Sequence, residues 1–107
     1  MPKSETVTML VTYRPKKGKE EELRRMVERH WPTLRRLGLV TPEPPHLWRA
    51  TDKRSGQPYF VELFQWRDGE ASEVAHQTPE VMAIWEPMAD VLESMELARV
   101  EPMSTSG

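Results

Sequence analysis

Along this chain the hydrophobic pattern switches repeatedly between a period of two and a period near 3.6. Val7, Met9, Val11 and Tyr13 alternate with Thr8, Leu10, Thr12 and Arg14, which predicts a strand over residues 6–14. Pro15-Lys16-Lys17-Gly18 is a turn. From Lys19 onward Leu23, Met26, Val27, His30, Trp31, Leu34 and Leu37 fall on one helical stripe. Glu20, Glu21 and Glu22 sit in the first turn and Arg35 and Arg36 near the end, as the helix dipole favours. Gly38 is a C-terminal cap, and Pro32 is expected to kink or split the helix. Residues 41–45 form a proline-rich linker, residues 46–51 a short strand, and residues 59–66 the strongest strand, the last two joined as a hairpin. Asp68-Gly69 opens a second helical region. Its first short piece carries Val74, Ala75 and His76. Thr78-Pro79-Glu80 restarts it with Thr as N-cap and Pro at the first helical position. Pro87 is a second expected kink, residues 95–101 are the last strand, and the chain from Pro102 reads as a flexible tail.

Strand, helix, strand, strand, helix, strand is the split βαβ order, so the expected fold class is α+β, ferredoxin-like βαββαβ. Two helices cover only one face of a four-stranded sheet. The sequence reading assigns Val7, Met9 and Val11, with Tyr59, Val61 and Leu63, to the helix-covered face. That leaves Phe60, Glu62, Phe64 and Trp66 on the other. Aromatics open to water form an apolar patch, so a second copy is expected to cover them. The result is a homodimer, a dimeric α+β barrel whose sheets face each other across an aromatic-lined cavity.

With 107 residues, the chain is read as a single domain, residues 1–107, with an ordered core over about 6–101 and a tail over 102–107. Its 15 basic and 17 acidic residues give no basic footprint for nucleic acid. No apolar run reaches membrane-spanning length, and the first residues lack the apolar stretch of a signal peptide. A cytoplasmic location is therefore the default. With 0 cysteines, disulfides and thiolate chemistry are excluded. The 3 histidines show no close ligand spacing, so no metal site is expected.

Several residues can carry chemistry. His76 lies at a helix break, where its imidazole serves either as proton shuttle or substrate anchor, or as a bond to the backbone. Glu62 between Phe60 and Phe64 is either an acid/base group or the ion-pair partner of Arg49 on the neighbouring strand; the pair is the preferred reading. Phe64, Trp66, Trp85 and Trp48 are walls for a flat substrate, or core and interface. Tyr13 is either a hydrogen-bond donor to a substrate or a rim residue, and Arg49 is a further candidate donor. His30 and Trp31 read as core packing, and His46 is given no role.

The run Tyr59-Phe60-Val61-Glu62-Leu63-Phe64-Gln65-Trp66, a short gap, Ala71, and then His76-Gln77-Thr78-Pro79-Glu80-Val81 resembles the antibiotic biosynthesis monooxygenase family of the dimeric α+β barrel superfamily. Such motifs mark the fold better than the chemistry. The resemblance implies a cofactor-independent monooxygenase that deprotonates a small aromatic or quinol-type molecule, which then reacts with dioxygen. It implies His76 and Glu62 as catalytic candidates and Tyr13, Arg49, Phe64, Trp66 and Trp85 as substrate contacts. Oxygenases of this group often use an asparagine, as does the related haem-degrading branch; this chain has none, so those roles are not carried over as a set. The alternative is a non-catalytic small-molecule-binding or accessory dimer.

Overall fold

The computed structural model describes residues 5–104. Strand β1 (Val7–Pro15) leads to helix α1 (Glu20–Arg36), the hairpin β2 (His46–Thr51) and β3 (Pro58–Trp66), short helix α2 (Ala71–His76), helix α3 (Pro79–Val91) and strand β4 (Leu92–Arg99). The sheet is antiparallel with order β2-β3-β1-β4. This is the α+β, ferredoxin-like fold that the order of hydrophobic periods predicts. Residues 102–104 carry no strand or helix, and the rest of the expected tail lies outside the described residues.

Helix α1 ends as its sequence requires. Gly38, at φ +74°, donates its N–H to the Arg35 carbonyl, and Leu39 donates to the Leu34 carbonyl. This pair of bonds is a Schellman motif, and only a residue free to take positive φ closes it without strain. Pro32 and Pro87 do not split their helices. Both are exposed, as are Glu28 and Ala83 four residues earlier, so the carbonyl that each proline leaves unbonded meets water. Thr78 occupies the N-cap position in extended conformation, but its hydroxyl donates backward to the Val74 carbonyl at 2.7 Å instead of capping α3. Strand β4 begins three residues earlier than its sequence pattern suggests, because Leu92 is already extended where α3 stops.

The helices cover the face opposite to the one expected for β3. Phe60, Glu62, Phe64 and Trp66 are buried beneath them, and Tyr59, Val61 and Leu63 are only half-buried. Register explains the exchange. Val11 pairs with Glu62 and Tyr13 with Phe60, so β1's helix-facing set shares its face with β3's aromatic set. A one-residue change of register inverts every side chain of a strand. The core therefore joins Val11, Tyr13, Phe60, Phe64 and Trp66 to Leu23, Val27 and Leu34 of α1 and Val81, Ile84 and Met88 of α3. The open face carries Leu10 directly opposite Leu63, with Trp48 opposite Val61.

Among the described residues no helix is long and apolar enough to cross a membrane.

Candidate active site

A cavity of about 430 Å³ lies between the helices and the sheet, floored by β1 and β4 and walled by α3. Phe64 and Trp66, expected to line a cavity between two sheets, line this one under the helices instead. Its inner end is buried, with Phe64 and Trp66 in edge-to-face contact at 5.0 Å. Its mouth lies toward the exposed strand β4, where Met95 and Leu97 project beyond the cover of the helices. The lining is almost wholly apolar, and no lysine or arginine contributes to it. Four of the chain's 7 methionines (Met9, Met82, Met88 and Met95) line the cavity. Such side chains adapt their shape to a ligand.

At the inner end three polar side chains converge below the core. Glu62 is fully buried. Its Oε1 accepts a hydrogen bond from the Tyr13 hydroxyl at 2.6 Å and another from His30 Nδ1 at 2.9 Å, with Oε2 3.2 Å from the same nitrogen. An ionised carboxylate accepts only, so this geometry puts the hydrogen of a neutral His30 on Nδ1 and the lone pair on Nε2. Among the described residues only His30 Nε2 and Trp31 Nε1 are buried side-chain nitrogens without a partner. Of these two residues, His30 alone lines the cavity. Its ring meets Phe64 edge-on at 5.6 Å and lies 5.9 Å from Trp85. Burial, then the charge of Glu62 and the hydrogen bond to it, push the Tyr13 phenol well above its usual range, so it remains a donor.

The arrangement can act as a carboxylate-backed imidazole base. Nε2 accepts a proton from a molecule in the cavity, and Glu62 stabilises the imidazolium that forms. Burying a carboxylate is unfavourable unless it is paired and hydrogen-bonded, and both donors here satisfy it.

The residues singled out from the sequence are distributed unevenly around this site. Glu62 is at its centre but does not pair with Arg49. Arg49 instead reaches Glu20 at the start of α1, Nε to Oε2 2.7 Å, and lines a separate groove beside that helix. The register explains this: Arg49 stands opposite Phe60 at the uncovered edge of the sheet, two residues from the position opposite Glu62. Phe64, Trp66 and Trp85 line the cavity. Tyr13 also lines it, but beneath the helices and not at a rim, with its hydroxyl committed to Glu62. Trp48 lies outside it on the open sheet face, half-exposed and stacked on His46 at 5.7 Å. His76 stands at the mouth, exposed, with Nδ1 donating to the Ser72 carbonyl at 2.8 Å and its ring 4.7 Å from Trp85. His76 therefore makes the expected backbone bond and also lines the cavity.

The sequence reading placed His30 in the core, where it is, and missed its bond to Glu62. The available signal was an imidazole in a stripe otherwise made of Leu, Val, Met and Trp, above a sheet face with one acidic residue among aromatics.

The fold and site define a ferredoxin-like α+β protein with a ligand-sized cavity beneath its helices. No family model matches the chain, and no curated protein matches it in sequence. Solved structures do match in fold. An asparagine-to-alanine mutant of SnoaB, a cofactor-independent oxygenase from Streptomyces nogalater, superposes with TM-score 0.70 at 17% identity, covering 94% of this chain and 95% of that one. A Pseudomonas aeruginosa protein matches with TM-score 0.70 at 18% identity over 94% of this chain and 97% of its own. A dimeric protein of unknown function from Bacteroides fragilis, described as ferredoxin-like, matches with TM-score 0.62 at 11% identity over 90% and 95%. At 11 to 18% identity these likenesses establish a shared fold. The resemblance to antibiotic biosynthesis monooxygenase-like proteins read from the sequence is thereby found in the three-dimensional structure.

Proposed function

We propose that this chain is a general-base enzyme of the cofactor-independent monooxygenase type, acting on a small uncharged aromatic or quinol-type molecule held in the cavity. The observation that carries this reading is His30, which lines the apolar cavity and combines a buried, unpartnered Nε2 with an Nδ1 held by Glu62. The cavity's volume and its Trp85 and methionine lining support a flat ring as ligand, and the absence of lysine and arginine from the lining disfavours a carboxylate or phosphate. His30 Nε2 takes the proton of an acidic ring C–H or hydroxyl. The resulting anion is rich in electrons and reacts directly with dioxygen. A ring CH2 becomes C=O, and the second oxygen atom leaves as water. The buried, apolar inner end strengthens the Glu62–imidazolium attraction and limits the solvent that can protonate the anion. His76 at the mouth contacts the solvent-side end of the substrate.

The protein acts as a homodimer in this reading, with the Leu10–Leu63 face covered by the same face of a second copy. The support is the half-buried apolar content of that face and the dimeric state named for one structural neighbour.

Oxygen uptake without added cofactor, measured across a panel of quinols and anthrones, tests the function. Substrate-dependent uptake is expected, falling about 10²–10⁴-fold in His30→Gln. Binding detected by tryptophan quenching, with no uptake for any compound, would replace the enzyme with a ligand-holding protein.

A further inference from the structure

We infer that Tyr13 is a positioning residue for the His30 base, acting through Glu62 and not on the substrate; the inference rests on the general-base reading above. Tyr13 and Glu62 stand on adjacent strands, and the register that pairs Val11 with Glu62 and Tyr13 with Phe60 places them diagonally on one face. The phenol and the imidazole converge on the same oxygen, Oε1, at 2.6 and 2.9 Å. Rotation of the carboxylate therefore breaks the phenol bond and changes the hold on Nδ1, which Oε2 also approaches at 3.2 Å. The Tyr13 side chain lines the cavity, but its single hydroxyl hydrogen is engaged by Glu62.

The consequence concerns the imidazole tautomer. Glu62 keeps the hydrogen of neutral His30 on Nδ1, so Nε2, which has no partner, presents a lone pair. An unheld histidine prefers its hydrogen on Nε2, and in that form the unpartnered nitrogen is a donor and no longer a base. Removing the phenol hydroxyl frees Glu62 to turn, weakens its hold on Nδ1–H, and lets the ring relax toward the inactive tautomer. Tyr13 thus selects the reactive form of a residue on another element, as groups behind a catalytic histidine do elsewhere.

Tyr13→Phe, which removes only the hydroxyl, tests this in the full chain labelled with 15N-histidine. In the unaltered protein the His30 Nε2 resonance is expected at the pyridine-like position of a lone-pair nitrogen. In Tyr13→Phe it moves toward the pyrrole-like position, and kcat falls on the order of tenfold with KM unchanged. Glu62→Gln, which preserves shape, shifts the same resonance, and adding Tyr13→Phe to it produces no further change, because the path through the carboxylate is already lost. A raised KM with kcat and the Nε2 resonance unchanged would overturn the inference and make Tyr13 a substrate contact. An unchanged resonance in both single variants overturns it as well. The resonance needs no substrate, so it decides the role of Tyr13 even if the unaltered chain shows no turnover, a result that would remove the general-base reading alone.

Discussion

The two ends of the cavity each carry a histidine, and the same side chain is set to different uses by its surroundings. At the inner end His30 is 3% exposed and wedged between Phe64 and Trp85, with Nδ1 on a buried carboxylate. At the mouth His76 is exposed, and its Nδ1 meets only the backbone carbonyl of Ser72. A carbonyl fixes a tautomer but carries no full charge to stabilise an imidazolium, and solvent screens what it offers. A buried carboxylate does both. The comparison teaches that exposure to a cavity does not make a base. The partner behind the ring and the exclusion of water do.

The sharpest way to break the comparison is to damage the inner end. Phe64→Asp places a charge among Trp66, His30 and the core, with no counter-charge beyond an imidazole already engaged by Glu62. The loss of packing alone costs about 3–5 kcal/mol, and the chain is expected to unfold as judged by far-ultraviolet circular dichroism. The adjacent Leu63→Asp, on the open face opposite Leu10, is expected to leave the secondary structure intact and shift light scattering from the dimer toward 12.5 kDa. A folded Phe64→Asp, or a dimeric Leu63→Asp, would contradict the assignment of the two faces.

Glu62→Leu is next in size. It leaves the Tyr13 hydroxyl and the His30 Nδ1–H buried without their acceptor. Leaving a buried donor unsatisfied costs about 1–3 kcal/mol for each such group, readable as a lower urea midpoint at unchanged slope. A loss below about 1 kcal/mol would show that the cluster adds little to the fold and that its cost is already compensated elsewhere.

Alkaline pH probes the same cluster more gently. Tyr13 is raised above its usual range chiefly by burial, so the folded chain holds this proton where the unfolded chain releases it. Stability from Tyr13 is therefore complete below the ordinary tyrosine pKa of about 10 and is lost as pH rises through the folded value. Of the 2 tyrosines, Tyr13 is expected to give its phenolate absorbance near 295 nm only together with unfolding. Tyr13→Phe should remove that step and flatten the decline in stability above about pH 10. A reversible Tyr13 titration in the folded chain would mean that the phenol is open to solvent.

How much of this was legible in the sequence follows from the range of the interactions. The elements were legible because period and caps are local: the stripe of α1, the Gly38 terminus and the Thr78-Pro79 restart are each set within a few residues. The partner of Glu62 was not. Arg49 looked suitable because β2 and β3 form a hairpin, but Leu47 stands opposite Glu62, and the two-residue offset sends Arg49 to the sheet edge and Glu20. The imidazole that does reach Glu62 lies 32 residues away on a helix. Its approach depends on which face of β3 the helices cover. Both faces of that strand are apolar enough to be buried, so alternation alone leaves the choice open, and the pairing of β1 with β3 makes it. Phe64 and Trp66 line a cavity beneath the helices, instead of one between two sheets, for the same reason.

His76→Ala is expected to have the smallest effect and bears most directly on the contrast between the two ends. The side chain is exposed and its one hydrogen bond is to a carbonyl within its own short helix, so stability should change by no more than about 0.5 kcal/mol. If the mouth serves only to hold the far end of the substrate, KM should rise less than about tenfold while kcat stays near its original value. Steady-state oxygen uptake in His76→Ala beside His30→Gln makes the comparison. A kcat loss in His76→Ala as large as that in His30→Gln would end the distinction drawn here. It would mean that an imidazole in water, tilted against Trp85 with ring centroids 4.7 Å apart, performs the proton transfer assigned to the buried one. The Tyr13–Glu62–His30 cluster would then be a structural device that fastens α1 to the sheet.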